Sequence, residues 1–322
     1  MNPDISKLDF AVVIPTLNRP NDLSTTVHSV LAQTVIPVQL IIVDQSHDDE
    51  SRRRIHSILD VASKSGQPFP ELLYIHDPAI SGASAARNRA FPFIRSAITL
   101  FLDDDVILDP TFITAMRDAY IHHPGVMGVS GIITNYTPPS LAVRLWRRVF
   151  ACGPFHDDRQ PVYWRAARLR APVRVTRFGA GLMSFWTAAI RSVRFDDNLS
   201  GACDGEDVDF CAHLGPRAHL LITPQARLIH QKSPVARVRE YWLFREACTA
   251  WYLYRRNWDF GLRNRVCFLW LNVGYLLVAI LIAARRRSME PLACLQQVGR
   301  ESRALLGGSV DCHTRRSGSG IV

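Results

Sequence analysis

Lysine is almost absent. Of 38 basic residues only Lys7, Lys64 and Lys232 are lysines, so arginine carries nearly all of a net charge of +9. Arginine's planar fork suits phosphate groups, and a basic surface also suits anionic lipid. None of the usual nucleic-acid-binding signatures accompanies this charge, so no nucleic-acid partner is expected. Cysteine is scarce and patternless: seven residues scattered from Cys152 to Cys312, an odd number without a CxxC pair. That argues against a disulfide framework and a structural zinc site, and fits a reducing, cytosolic setting. The start, MNPDISKLDFAVVIP, lacks a basic stretch followed by a long apolar core, so no signal peptide is expected.

What is present reads as alternating elements. With 322 residues the chain can form one large or two modest domains, and 48% hydrophobic residues are ample for a core. Residues 10–14 (FAVVI), closed by Pro15, predict a buried strand. A helix is expected over 21–34, capped by Asn21 or Asp22 and lined by Leu23, Val27, Val30 and Leu31. Residues 38–46 (VQLIIVDQS) predict a strand ending in Asp44, 50–64 a helix, and 71–77 a third strand. From Ser81, SGASAARNRAFPFI opens with a flexible turn and suits a helix to about residue 95. AITLFLDDD is the fourth strand. Such alternation, with near-continuous apolar strands, predicts a parallel α/β sheet covered on both faces. Ligands of these sheets sit at the carboxyl ends of the strands, where Pro15, Thr16, Asn18, Arg19, Asp44 and the acids of 103–105 fall. Residues 177–190 suit a glycine-started strand running into a helix, whereas 140–175, rich in arginine and tryptophan, follow no clear pattern.

LFLDDDVILDP sets Asp103, Asp104 and Asp105 directly behind an apolar run. Adjacent carboxylates resist ionising together, so a positive partner is expected. In an extended chain Asp103 and Asp105 point to one side and can share a hard divalent ion, Mg²⁺ or Mn²⁺, completed by substrate phosphates. A solvated acidic turn is the plain alternative. A second cluster, DGEDVDF, holds Glu206, Asp207 and Asp209, and a carboxylate near a metal-diphosphate can act as general base. His230 ends the run ARLIH; it can offer an imidazole to the metal or serve structure alone.

Taken in order, VVIPTLNRP, LIIVDQS, SGASAARN, FLDDDV, GAGLMSF, GEDVDF and the late His230 resemble family 2 glycosyltransferases over residues 10 to 235. The resemblance implies the GT-A fold, an α/β architecture with a mostly parallel nucleotide-binding sheet flanked by helices. By the same likeness Pro15, Thr16, Asn18 and Arg19 form the first nucleotide-contacting loop, and Asp44, with Ser46 beside it, reads the base. Gly82, Arg87 and Asn88 line the nucleotide pocket, Arg87 also buttressing the acids. Asp103 lies near ribose and metal, Asp104 contacts the nucleotide, and Asp105 ligates the metal together with His230. Asp207 is the implied catalytic base, with Glu206 beside it facing acceptor or donor sugar. The implied cofactor is Mg²⁺ or Mn²⁺, the donor a nucleotide sugar, and the acceptor a hydroxyl of a glycan or lipid-linked molecule. The implied reaction is an inverting displacement in bacterial cell-surface polysaccharide or glycolipid synthesis. One departure stands out: relatives carry an arginine soon after the Glu-Asp pair, where this chain runs FCAHLGPR, leaving open whether His213 or Arg217 substitutes. Two rivals compete. A sugar-phosphate nucleotidyltransferase is disfavoured because PTLNRP lacks a glycine-rich basic loop. A non-catalytic nucleotide-sugar-binding scaffold is disfavoured by the intact acids.

The expected division is a catalytic domain over 1–235 and a helical, membrane-associated region over 236–322. Within the latter, 266–284 (VCFLWLNVGYLLVAILIAA) is uncharged and would reach about 28 Å as a helix, barely the thickness of a hydrocarbon core. Arginines flank both ends, so a crossing helix would carry Arg285–Arg287 away from the catalytic domain, which the positive-inside rule disfavours. Residues 292–306 also show apolar residues at helical spacing. A spanning helix, an interfacial hairpin and a helix buried against the catalytic domain all fit. The first two place the chain at the cytoplasmic face of the inner membrane, single-pass or peripheral, with the membrane surface as a partner.

Overall fold

The first apolar run forms β1 (Phe10–Thr16), buried at every position. Pro15 lies beyond Val13, the last residue paired with the strand on one side, so its missing N–H breaks no ladder there. There follow α1 (Pro20–Leu31), β2 (Gln39–Asp44), α2 (Glu50–Lys64), β3 (Glu71–His76) and α3 (Ala83–Ala90). Next come β4 (Ile98–Leu102), β5 (Val106–Leu108), α4 (Phe112–His122), β6 (Gly128–Ile133) and α5 (Leu141–Phe150). The chain continues through α6 (Arg159–Trp164), β7 (Val173–Val175), β8 (Leu182–Trp186), α7 (Thr187–Ile190), α8 (Glu206–His213) and β9 (Leu220–His230). It closes with α9 (Trp242–Asn257), α10 (Leu262–Arg286) and α11 (Glu290–Leu306). This computed structural model describes residues 8–306 except 67, 180, 200–204, 233–241 and 260.

Three boundaries differ from expectation. α1 begins at Pro20, whose fixed φ suits a first turn, and neither Asn21 nor Asp22 caps it. α3 stops at Ala90 because Pro92 has no N–H for the ladder, and residues 91–93 turn as a short 3-10 helix. β4 ends at Leu102, so the three acids follow it in a turn.

Two units are distinguished: residues 1–138, 158–196 and 210–237 in the first, and 139–157, 197–209 and 238–322 in the second. The first is built on one sheet of order β3-β2-β1-β4-β8-β6-β9-β5, with β7 paired to β9. β3, β2, β1 and β4 run parallel, which places their carboxyl ends together. β8 runs antiparallel to both β4 and β6, and β5 antiparallel to β9, so the sheet is mixed beyond β4. Alternate strand residues enter opposite cores: Val12, Ile14, Leu40 and Ile42 pack with α1, α2 and α4, while Ala11, Val13, Ile41 and Phe101 pack with α3 and an aromatic cluster. Burial on both faces explains the near-continuous apolar strands. In that cluster Phe195 and Phe210 stack at 4.2 Å, and Phe101 meets Phe195 edge-on at 5.2 Å.

The second unit is helical. α5, α9, α10 and α11 surround a core that includes Leu253, Leu271, Tyr275 and Val298. Phe150 of α5 sits so close to Gly274 of α10 that a Cβ there would lie 2.5 Å from its ring. Trp146 donates from Nε1 to the Gly274 carbonyl at 3.0 Å, and Tyr254 stacks on Phe268 at 4.2 Å. α10 is the one described helix long and apolar enough to cross a membrane.

Candidate active site

The parallel half of the sheet delivers β1, β2 and β4 to one rim, where the acids lie. Thr16, the last residue of β1, donates its hydroxyl to Asp104 at 2.7 Å. Arg19, in the loop after it, donates to the other Asp104 oxygen at 2.9 Å and lies 3.9 Å from Asp105. Arg87 of α3, 1% exposed, pairs with Asp103 at 3.2 Å and rests over the Phe195 ring. Part of the positive charge expected opposite the acids is therefore supplied within the fold, by two arginines. Burial still raises the Asp104 pKa to about 6, against the opposing pull of Arg19 and Thr16. Burial works to lower the Arg19 pKa, but Asp104 and Asp105 outweigh it and the net shift is upward.

Asp103 and Asp105 do meet, through a turn and not through the alternation of an extended strand. His230 joins them because β9 runs antiparallel to β5 with His230 opposite Val106. Its Nε2 lies 2.9 Å from Asp105, and ligand atoms of Asp103, Asp105 and His230 all fall within 4.8 Å of one another. Two carboxylates and an imidazole, gathered this closely, are a donor set that fits a hard divalent cation.

Asp44 ends β2, Asn18 and Ser46 follow β1 and β2 in their loops, and Gly82 joins them through Gln45. Asp44 is fully buried, accepting from the Tyr74 hydroxyl at 2.6 Å and the Ser46 amide at 2.9 Å. Burial, and then Asp44, push the ionisation of that tyrosine far up. Asn18 holds the left-handed backbone, φ 55°, and its amide donates to the Ser46 hydroxyl at 2.8 Å, tying the β1 loop to the β2 loop. Gly82, φ 93°, donates its amide to Gln45 at 2.8 Å. Asn88 clamps the Phe195 backbone, donating to its carbonyl at 2.8 Å and accepting from its amide at 3.0 Å.

Three contributors escape sequence reasoning. Gly181, φ 81°, leaves room for the Asp103 carboxylate, which a Cβ would approach to 2.0 Å; the glycine just ahead of a strand was its signal. Thr26, buried in α1, accepts the Val106 amide at 3.1 Å with its hydroxyl 2.8 Å from the carbonyls of Asp104 and Val106, fixing the acidic turn. Asn135 binds both backbone groups of His230, at 2.8 and 3.0 Å. Nothing local marks either residue. Glu206 and Asp207 belong to the second unit, where they open α8. The Gly205 amide donates to Glu206 at 3.1 Å, and Asp207 is mostly buried, accepting the Val208 amide at 2.8 Å. Asp209, fully buried, accepts from Asn257 at 2.7 Å and lies 3.3 Å from Arg256, anchoring this turn to α9.

Residues 11–181 match the glycosyl transferase family 2 model. Among similar proteins, a glucosyl-dolichyl phosphate glucuronosyltransferase of Haloferax volcanii is 28% identical over 127 residues, 39% of this chain and 38% of its own. A PGL/p-HBAD biosynthesis glycosyltransferase of Mycobacterium tuberculosis is 29% identical over 130 residues, 40% of this chain and 48% of its own. The match thus spans less than half the length of either relative. Among solved structures, S. aureus TarS 1-349 aligns with a TM-score of 0.53 at 12% identity, covering 92% of this chain and 80% of that one. At that identity the likeness shows the fold alone, a GT-A-like α/β sheet with helices. With more than half its length inside the family model, the chain belongs to glycosyl transferase family 2.

Proposed function

We propose that this glycosyltransferase moves a sugar from a nucleotide-sugar donor to a hydroxyl of a glycan or lipid-linked acceptor, inverting the anomeric carbon. The observation that carries the reading is the gathering of Asp103, Asp105 and His230 within 4.8 Å, beside Arg19 and Arg87. A divalent cation, Mg²⁺ or Mn²⁺, held by those three would offset the charge developing on the leaving diphosphate. Pro15, Thr16, Asn18 and Arg19 shape the nucleotide-facing loop, braced by Asp104 and Ser46. Asp44 faces the base; each of its oxygens accepts one hydrogen bond already and keeps a lone pair for another. Gly82, Arg87 and Asn88 line the nucleotide pocket, Arg87 also buttressing the acids.

Asp207 takes the proton of the acceptor hydroxyl as that oxygen bonds to the anomeric carbon. The bond from that carbon to the diphosphate breaks on the opposite face, and the diphosphate leaves with the electron pair. Glu206 contacts one of the sugars. Along the chain, residues 1–235 carry this chemistry and 236–322 form a membrane-associated region at the cytoplasmic face of the cell membrane. A lipid-linked acceptor is favoured by the apolar α10 and by the dolichyl phosphate in the name of the Haloferax relative.

A screen of nucleotide sugars for release of nucleoside diphosphate tests the proposal. One base and sugar combination should be hydrolysed, lose activity with EDTA and regain it with Mn²⁺. Turnover indifferent to chelation would reject the metal-assisted reading, and silence with every donor would reject the donor class.

A further inference from the structure

α10 is apolar on every side, yet its own unit covers only one. Leu271, Gly274, Tyr275, Ala279 and Ala283 are buried against neighbouring helices. On the opposite side Leu269, Val273, Leu276, Leu277, Ile280 and Leu281 are exposed, by 42 to 69%. On α5, Leu141, Leu145 and Val149 recur every fourth residue and are exposed by 77, 61 and 45%. The two rows join: Trp270 donates to the Val149 carbonyl at 2.8 Å, and its ring lies 5.1 Å from that of Phe150. An open hollow of about 350 Å³ between Ile280, Ala284, Met289 and Leu292, with Arg287 at its edge, extends the patch to the α10–α11 turn. A continuous apolar surface of this extent on a water-facing protein implies an occupant.

The rim identifies it. Arg144 and Arg148 flank Leu145 on α5, and Arg263, Arg265 and Arg285–Arg287 mark the two ends of α10, exceeding the nearby acids Asp259 and Glu290. An arginine border around an apolar face complements an anionic lipid surface. It opposes self-pairing, which would set like-charged rims against each other. Crossing is disfavoured by depth. Trp146 meets α10 at Gly274, its midpoint, so a spanning α10 would hold Arg147 and Arg148 near the bilayer centre.

We propose that the exposed faces of α5 and α10 form one docking surface for an anionic bilayer, with α10 lying in the membrane plane. The inference rests on the membrane-side reading above, and not on the donor chemistry.

The purified full chain, added to preformed vesicles, should float with phosphatidylcholine–phosphatidylglycerol mixtures and far less with phosphatidylcholine alone. Leu145→Glu combined with Leu277→Glu should lower the bound fraction about tenfold or more, since each exposed side chain loses its apolar burial. Arg144→Gln with Arg148→Gln should weaken the preference for phosphatidylglycerol. These positions are exposed, so donor hydrolysis should keep its normal rate in every variant and report an intact fold. Vesicle binding without any donor hydrolysis would support the surface while overturning the catalytic reading. Undiminished binding by the double glutamate variant overturns the docking surface. A solution dimer that this variant dissociates, without vesicle binding, assigns the face to a second copy and overturns it also. Retention in native membranes at pH 11 without detergent overturns the in-plane orientation.

Discussion

At the scale of single residues, the acidic site depends on what is missing at position 181. A Cβ there would lie 2.0 Å from the Asp103 carboxylate, on a backbone whose φ of 81° already disfavours a side chain. Gly181→Ala must therefore displace Asp103, and a misplacement of order 1 Å costs about 10²-fold in rate. Transfer activity should fall by that factor while circular dichroism stays unchanged; normal turnover would show that the carboxylate can retreat without consequence. Asp207→Asn tests a different role. Removing a general base lowers turnover by about 10²- to 10⁴-fold and leaves donor binding nearly intact. Steady-state kinetics separate the two, and a loss confined to KM would remove Asp207 from proton transfer.

At the scale of elements, the late histidine is held by its strand. His230 is the last residue of β9, and Asn135, just beyond β6, ties down both its backbone groups. Asn135→Ala should leave the sheet folded and lower Mn²⁺ affinity roughly 10- to 100-fold, the usual cost of losing support behind a ligand. Electron paramagnetic resonance titration measures this, and an unchanged affinity would show that β5 alone positions the imidazole. This bond also marks the limit of what the sequence discloses. Buried parallel strands print as unbroken apolar runs, so β1, β2 and β4 and the polar residues at their ends are legible. Asn135 and Thr26 are not, because their partners lie 95 and 78 residues away and no local periodicity encodes such distances. The turn that joins Asp103 to Asp105 was hidden for another reason: an extended strand and a tight turn both bring alternate residues to one side. Residues 140–175 showed no pattern because their helices are short and split between the two units, α5 packing its aromatic side on α10 and presenting the other to solvent.

At the scale of the whole molecule, the group of Asp103, Asp105 and His230 couples distant stretches of chain. Asp103 and Asp105 precede β5 and His230 ends β9, so the site exists only when those strands pair. A ligand that binds the folded state alone stabilises it by mass action, about 2.7 kcal/mol at a hundredfold excess over Kd. For a chain of 322 residues that corresponds to a rise in Tm of roughly 4 °C. Mn²⁺ should produce such a rise in differential scanning fluorimetry, EDTA should reverse it, and Asp105→Asn should abolish it. Arg19 and Arg87 bound the outcome, since they neutralise part of the acidic charge without an ion. If the two arginines suffice, Mn²⁺ will shift wild type and Asp105→Asn alike or not at all. In that event the three acids are a structural charge network, and the leaving diphosphate must be met by the arginines themselves.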